Sequence, residues 1–308
     1  FDGEHSWGTT KMAEFDLRFT RLRGAFVLTF LTFPLIAASG TVSMTGQHNT
    51  GATYALSLSG STSITAGTGV TLESLNNNTG TIALLSSGGI NGGSGTVLMR
   101  AANYAFGGAD RTITTTGVLT IQPDADENSF ASSFDNQYLN PVSVTGLTLG
   151  KSSNASAITL SRAISLSGPV SIYGGSIDVN ANITANSGNI LLDADTGSTL
   201  NQSSTGILLD DAITIETVTS GNLTLIGRSG DTGSGFDGID ASSANTTTLR
   251  SAGNLTLQGY SYAASGSGRG VDLNNDVIAA SGTISMSGQH NTGATYAISL
   301  SGSTSITA

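Results

Sequence analysis

Ile36–Ala66 reads IAASGTVSMTGQHNTGATYALSLSGSTSITA, and Ile278–Ala308 reads IAASGTISMSGQHNTGATYAISLSGSTSITA. Across 31 aligned positions only three differ, Val42/Ile284, Thr45/Ser287 and Leu56/Ile298, and each exchange keeps shape or polarity. The offset is 242 residues, so one large unit is followed by the opening of a second. The chain reads as a fragment of a longer tandem array. Inside the duplicated stretch apolar and polar residues alternate, as in Val42-Ser43-Met44 and Leu56-Ser57-Leu58. A period of two in aliphatic and β-branched residues is the mark of a strand with one buried face.

The same pattern recurs through the unit. Gly-led apolar segments open at Gly40, Gly69, Gly80, Gly95, Gly117, Gly146, Gly168, Gly188, Gly206, Gly221, Gly253 and Gly282. They divide the 242 residues into eleven steps of 11 to 32, a mean of 22. A period in that range is a sign of solenoid architecture. Gly, Asn, Asp and Ser between the segments tolerate tight and left-handed turns. The expectation is an all-β, right-handed parallel β-helix, with aliphatic side chains in the bore and Ser and Thr outside. Asn and Ser stacked at its corners would form ladders along the axis. Eleven turns at about 4.8 Å make a rod of roughly 50 Å. Three regions follow: a non-repeat segment over 1–34, the solenoid unit over 35–277, and the start of a second copy over 278–308.

Composition narrows the function. Ser (43), Thr (42), Gly (41) and Asn (21) supply 147 of 308 positions, charged residues are only 10%, and Cys is absent. Thiol chemistry, disulfide scaffolds and Cys-based zinc sites are thereby excluded. A net charge of −10, with 7 basic against 17 acidic residues beyond position 34, leaves no basic patch for nucleic acid.

Two stretches interrupt the strand pattern. Ala101–Asp110 carries Tyr104 and Phe106. Pro123–Pro141 places Phe130, Phe134 and Tyr138 four residues apart. That spacing predicts a short helix packing its aromatics onto the rod, with Asp124, Asp126 and Glu127 at its N-terminal end. Near the start of the chain, Arg18, Arg21 and Arg23 precede an apolar run, Ala25–Ala38. It has the length of a signal peptide and is short for a membrane span. A junction sequence between repeats accounts for it equally well.

Candidate chemistry is sparse. His48 and His290 are two copies of one turn position. Asp193, Asp195, Asp210 and Asp211 are the carboxylates that could serve a polysaccharide-cleaving β-helix, but arginines are scattered. Thr232–Asp240 (TGSGFDGID) meets four of five fixed positions of a calcium-binding nonapeptide, through Gly233, Gly235, Asp237 and Ile239. Ions in that arrangement sit between consecutive turns, and no second copy of the motif is present, so a Gly-rich loop is the better reading. Tyr260 and Tyr262 stand two residues apart and could share a strand face that stacks on a sugar, but as ordinary surface tyrosines they need no ligand. The sequence therefore assigns no catalytic, cofactor-binding or metal residue, no cofactor and no small-molecule substrate.

Ser167–Ile183 (SGPVSIYGGSIDVNANI), Gly146–Lys151 (GLTLGK) and the two GNLTL segments at Gly221 and Gly253 resemble the repeats of filamentous-haemagglutinin-like surface adhesins of Gram-negative bacteria. The resemblance covers about 35–308. It implies a right-handed parallel β-helix, export by two-partner or autotransporter-type (type V) secretion with an outer-membrane partner, and display at the cell surface. Partners would be glycans or proteins of host or neighbouring cells. The expected function is a non-enzymatic structural adhesin, this segment being mainly stalk. The alternatives are a carbohydrate-active β-helix enzyme and a self-associating surface-layer or matrix component.

Overall fold

A computed structural model describes residues 15–18, 35–46, 54–58, 62–75, 80–84, 88–107, 111–124, 127–140, 143–194, 204–210, 212–242, 245–290 and 296–308. The alternating segments are strands, and every pairing between named strands is parallel. From Thr41 onward each coil contributes three strands, one to each of three faces, and the coils stack into a parallel β-helix.

The first face is one unbroken eleven-stranded sheet, from Phe15–Arg18 through Thr41–Gly46 and Gly69–Ser74 to Ile284–His290. Its register is set by the pleat. Val42, Val70, Val97, Leu119, Leu147, Val170, Ile190, Leu223 and Leu255 form one inward column, and Met44, Leu72, Met99, Ile121, Leu149, Ile172, Leu192, Leu225 and Leu257 form the next. All of them are buried. The column between points outward and is mostly hydroxylated: Ser43, Thr71, Thr120, Thr148, Ser171, Thr224 and Thr256. A one-residue slip would turn every aliphatic to water, so the register is strongly specified.

From Val42 to Ile284 the column takes nine steps, not the eleven expected, the shortest from Val170 to Ile190 and the longest from Ile190 to Leu223. Two of the Gly-led segments do not open a coil. Thr81–Leu84, after Gly80, and Ile207–Leu209, after Gly206, belong to the second face of a coil already begun. The rod over this unit is therefore about 43 Å long at about 4.8 Å per coil.

The expected Asn ladder is present at the corner leading into the first face. The Oδ1 of Asn189 accepts from the Asn222 N–H (2.8 Å), that of Asn222 from the Asn254 N–H (2.8 Å), and that of Asn254 from the Thr283 N–H (2.9 Å). This accounts for the repeated Gly-Asn before an aliphatic residue. Gly221, at φ 113°, takes a conformation closed to side chains, and the Asn amide supplies the bond between coils. Cross-coil ion pairs add to the outer surface where register aligns them, Arg100 with Glu73 (3.4 Å) and Arg250 with Glu216 (3.5 Å).

Two features modify the expected regions. Phe15–Arg18 pairs in parallel with Thr41–Gly46, so the stacked rungs reach one strand into the segment expected to precede the solenoid. At the other end, the second copy simply continues the rod: Ile284–His290 stacks on Leu255–Ser261, and Ile298–Ser301 on Val271–Asn274.

Candidate functional site

The first face is continuous, but the other two each break once, one coil apart. On the second face a three-stranded sheet ends at Asn103–Phe106, and a seven-stranded one begins at Phe134–Asp135. On the third, five strands end at Leu139–Asn140 and six begin at Ile164–Leu166. The break falls at the two excursions noted in the sequence.

No helix forms among the described residues of Pro123–Pro141, which corrects the helix expected there. The four-residue spacing of aromatics has another origin. Phe134 enters the inward column of the second face, in register with Ile158 and Ile177. Tyr104 and Phe106 continue the inward positions of Ile82 and Leu84 from below. Phe130 and Phe134, both buried, meet them edge-on: Phe130–Tyr104 centroids are 5.9 Å apart, Phe134–Tyr104 5.7 Å and Phe134–Phe106 6.2 Å. At this level aromatic rings stand in the inward positions that aliphatics fill elsewhere. Stacking of the strand on its neighbour outweighs the weak helical preference of a short segment. The next coil anchors the excursion. Lys151 Nζ donates to the carbonyls of Asp124 and Glu127, and the buried Asn154 accepts from the Phe130 N–H at 3.2 Å.

Between Asn103–Phe106 and the segment above it lies a cleft of about 320 Å³. Tyr104, Phe106 and Phe134 line its apolar side, and Asp135, Gln137 and Tyr138 its polar side. The Tyr104 hydroxyl donates to the Gln122 carbonyl at 2.8 Å, and burial holds its pKa well above the ordinary phenol value, so it remains a neutral donor. The Asp135 carboxylate accepts from the Gln137 N–H at 2.9 Å. Among the described residues one carboxylate lines the cleft, whereas glycoside hydrolysis uses a pair. Rings beside a carboxylate and an amide suit binding of a sugar ring or a short peptide.

A second cluster stands further along the rod. Asp237, Asp240 and Asp272 bring carboxylate oxygens within 4.8 Å of one another. Asp240 and Asp272 are register partners on consecutive coils. The coil above Asp237 presents Arg269, whose backbone N–H donates to the Asp237 carboxylate and whose guanidinium pairs with Asp272. The calcium motif thus meets an arginine on its partner turn, and the protein supplies a cation of its own. Burial raises the Asp237 carboxyl to about 7, against the pull of the Arg269 hydrogen bond. Asp276, buried beside the N–H groups of Thr247 and Asn274, is raised to about 6 for the same reason. The sequence signal for this pairing was the recurrence of Gly238-Ile239-Asp240 as Gly270-Val271-Asp272, at the same offset as the two GNLTL segments.

The remaining candidates do not converge. Asp193 lies on the first face and Asp210 just beyond Ile207–Leu209 of the second. Asp195, Asp211 and His48 fall outside the described residues, and His290 is exposed at the end of its strand. Tyr260 points outward from Leu255–Ser261, while the ring of Tyr262 lies under the Arg228 guanidinium, 5.0 Å from its centroid. Comparison with known proteins finds no matching family model, no matching curated protein and no matching solved structure.

Proposed function

We propose that this chain is part of a non-enzymatic adhesin, secreted or displayed at the surface of a Gram-negative cell, in which the nine-coil unit is a stalk. The observation that carries the reading is the unbroken first face, whose inward column runs from Val42 to Ile284 without a gap while the outward column is mostly Ser and Thr. Such a rod gains length by repeating coils and holds its stability in contacts between neighbours. A chain without cysteine crosses an envelope unfolded with no disulfide to lock it. It then winds coil by coil outside. The resemblance of Ser167–Ile183 and the GNLTL segments to filamentous-haemagglutinin-like repeats supports the same reading, with type V secretion through an outer-membrane partner. Contact with glycans or proteins of another cell falls to the aromatic cleft at the break, through Tyr104, Tyr138, Asp135 and Gln137.

The test is exposure on intact cells that make the protein. An antibody raised against the purified unit should label them, and protease added outside should remove the label. Signal that appears only after lysis sinks the proposal.

A further inference from the structure

Asn103–Phe106 is the last strand of the lower sheet on the second face, and Phe134–Asp135 is the first of the upper one. In a parallel pair, alternate residues turn their N–H and C=O groups to opposite sides of the strand. The Asn103 and Gly107 N–H groups donate downward to the Gly80 and Leu84 carbonyls, at 3.0 and 3.2 Å. The main-chain groups of Tyr104 and Phe106 therefore face up, into the aromatic cleft. Across it, the Phe134 and Asn136 N–H groups donate upward to the Ala157 and Thr159 carbonyls, at 3.0 and 3.2 Å. Those of Ser133 and Asp135 therefore face down.

The two edges start out joined. The Ala131 N–H donates to the Ala102 carbonyl at 2.9 Å, and the Ser132 hydroxyl donates to Asn103 Oδ1 at 3.1 Å. Beyond that point they part. Among the described residues no main-chain bond crosses from Tyr104 or Phe106 to Ser133 or Asp135. Two facing strand edges with open donors and acceptors are a template for one further strand.

The side chains around the cleft define what that strand carries. The rings of Tyr104, Phe106 and Phe134 stand at inward positions, so every second residue of an inserted strand meets an apolar wall. The residues between them turn outward, beside the exposed Asp135, whose column continues through Thr159 to Asp178. No lysine or arginine is among the described residues lining the cleft. Its outward side is negative, and the complement is basic.

We propose that the cleft takes an extended peptide in which apolar and basic residues alternate, held as an added strand between the two sheets. Its main chain bonds the open groups of Tyr104 and Phe106 below and of Ser133 and Asp135 above. Its apolar side chains lie on the rings and a basic one pairs with Asp135. The proposal rests on the adhesin reading only for the origin of that peptide, a protein of another cell. Binding belongs to the purified chain, so its failure is distinct from a failure of surface exposure.

The probe is a capped, fluorescein-labelled peptide of alternating valine and lysine, its binding to the full chain followed by anisotropy. One companion peptide carries N-methyl groups on alternate amides, which keeps the side chains and removes the donors to one edge. Another has glutamate in place of lysine. Saturable binding of the valine–lysine peptide is expected, with both companions weaker by about tenfold or more. Asp135→Asn, at an exposed side chain, should weaken it about threefold or more. Ser133→Pro removes one open N–H and no bond within the rod, and should weaken it as well. Absence of saturable binding, or binding that N-methylation leaves unchanged, overturns the proposal. Displacement of the bound peptide by cellobiose or chitobiose assigns the cleft to a sugar instead, and overturns it too.

Discussion

Residues 36–66 and 278–308 are nearly one sequence in two settings. In the first, coils lie on both sides, and Leu58 and Ile64 are 4% and 1% exposed. In the second, a coil lies only below among the described residues, and the counterparts Leu300 and Ile306 are about half exposed. The register of Ile36 on Ile64 and of Ile278 on Ile306, and the tight corner at Gly46 and Gly288, are the same. What differs is burial, and with it the free energy each aliphatic contributes. A coil of this rod folds its own backbone path from local pattern but takes its stability from the coils beside it.

The largest expected effect breaks the feature the two copies share. Gly46→Val drives a side chain into the Ala55 carbonyl across the corner of its own coil. It should cost more than about 3 kcal/mol in denaturant unfolding. Gly288→Val makes the same clash, but the terminal coil can open to relieve it. Hydrogen exchange should then show lost protection over 296–308 with little change in the main unfolding midpoint. Equal global losses for the two variants would mean that the end coil is as tightly held as the inner one.

Next comes the feature that separates the copies. Ile64→Ala should destabilise by about 2–4 kcal/mol, as removal of a fully buried aliphatic does. Ile306→Ala should cost under about 1 kcal/mol, as at an exposed site. A smaller effect is expected from the ladder that runs up to the second copy. Asn222→Ala leaves the Asn254 N–H without its acceptor, at about 1–2 kcal/mol, and exchange of that amide should quicken.

A pH dependence is also expected, concentrated in the coils just below the second copy. The Asp237 and Asp276 carboxyls are raised from 3.8 to about 7 and about 6 by burial. The folded protein then holds protons that the unfolded chain releases above about pH 4, so their stabilisation is complete below that pH and is lost as pH rises through 6 to 7. The melting temperature should fall over that interval, and Asp237→Asn should flatten the decline. A profile unchanged by Asp237→Asn would remove that carboxyl from the account.

Much of this is legible in the sequence. Period-two segments such as Leu223-Thr224-Leu225 announce strands, and the Gly-Asn before them announces a turn with a ladder. The coil count was not legible, because a Gly-led strand on the second face, such as Thr81–Leu84, looks the same in sequence as one on the first. The helix expected near Phe130 and Phe134 failed for a related reason. Spacing on one segment reports that residues share a side, and not which neighbour that side will meet. The partner turn of Asp237 was hidden because its complement is an arginine, Arg269, and not a second copy of the motif.

The amino-acid pattern alone thus determined the strands, the direction each side chain points and the repetition of the unit, since these depend on backbone sterics and on residues a few positions apart. Only the stacked structure decided how many coils there are, where two sheets part to open the aromatic cleft, which carboxylates meet, and which of two nearly identical segments is buried. Those outcomes depend on groups a whole coil apart in sequence, such as Val170 and Ile190 or Ile190 and Leu223, being brought to rung distance. The lengths of the intervening loops, which no local pattern encodes, set who meets whom.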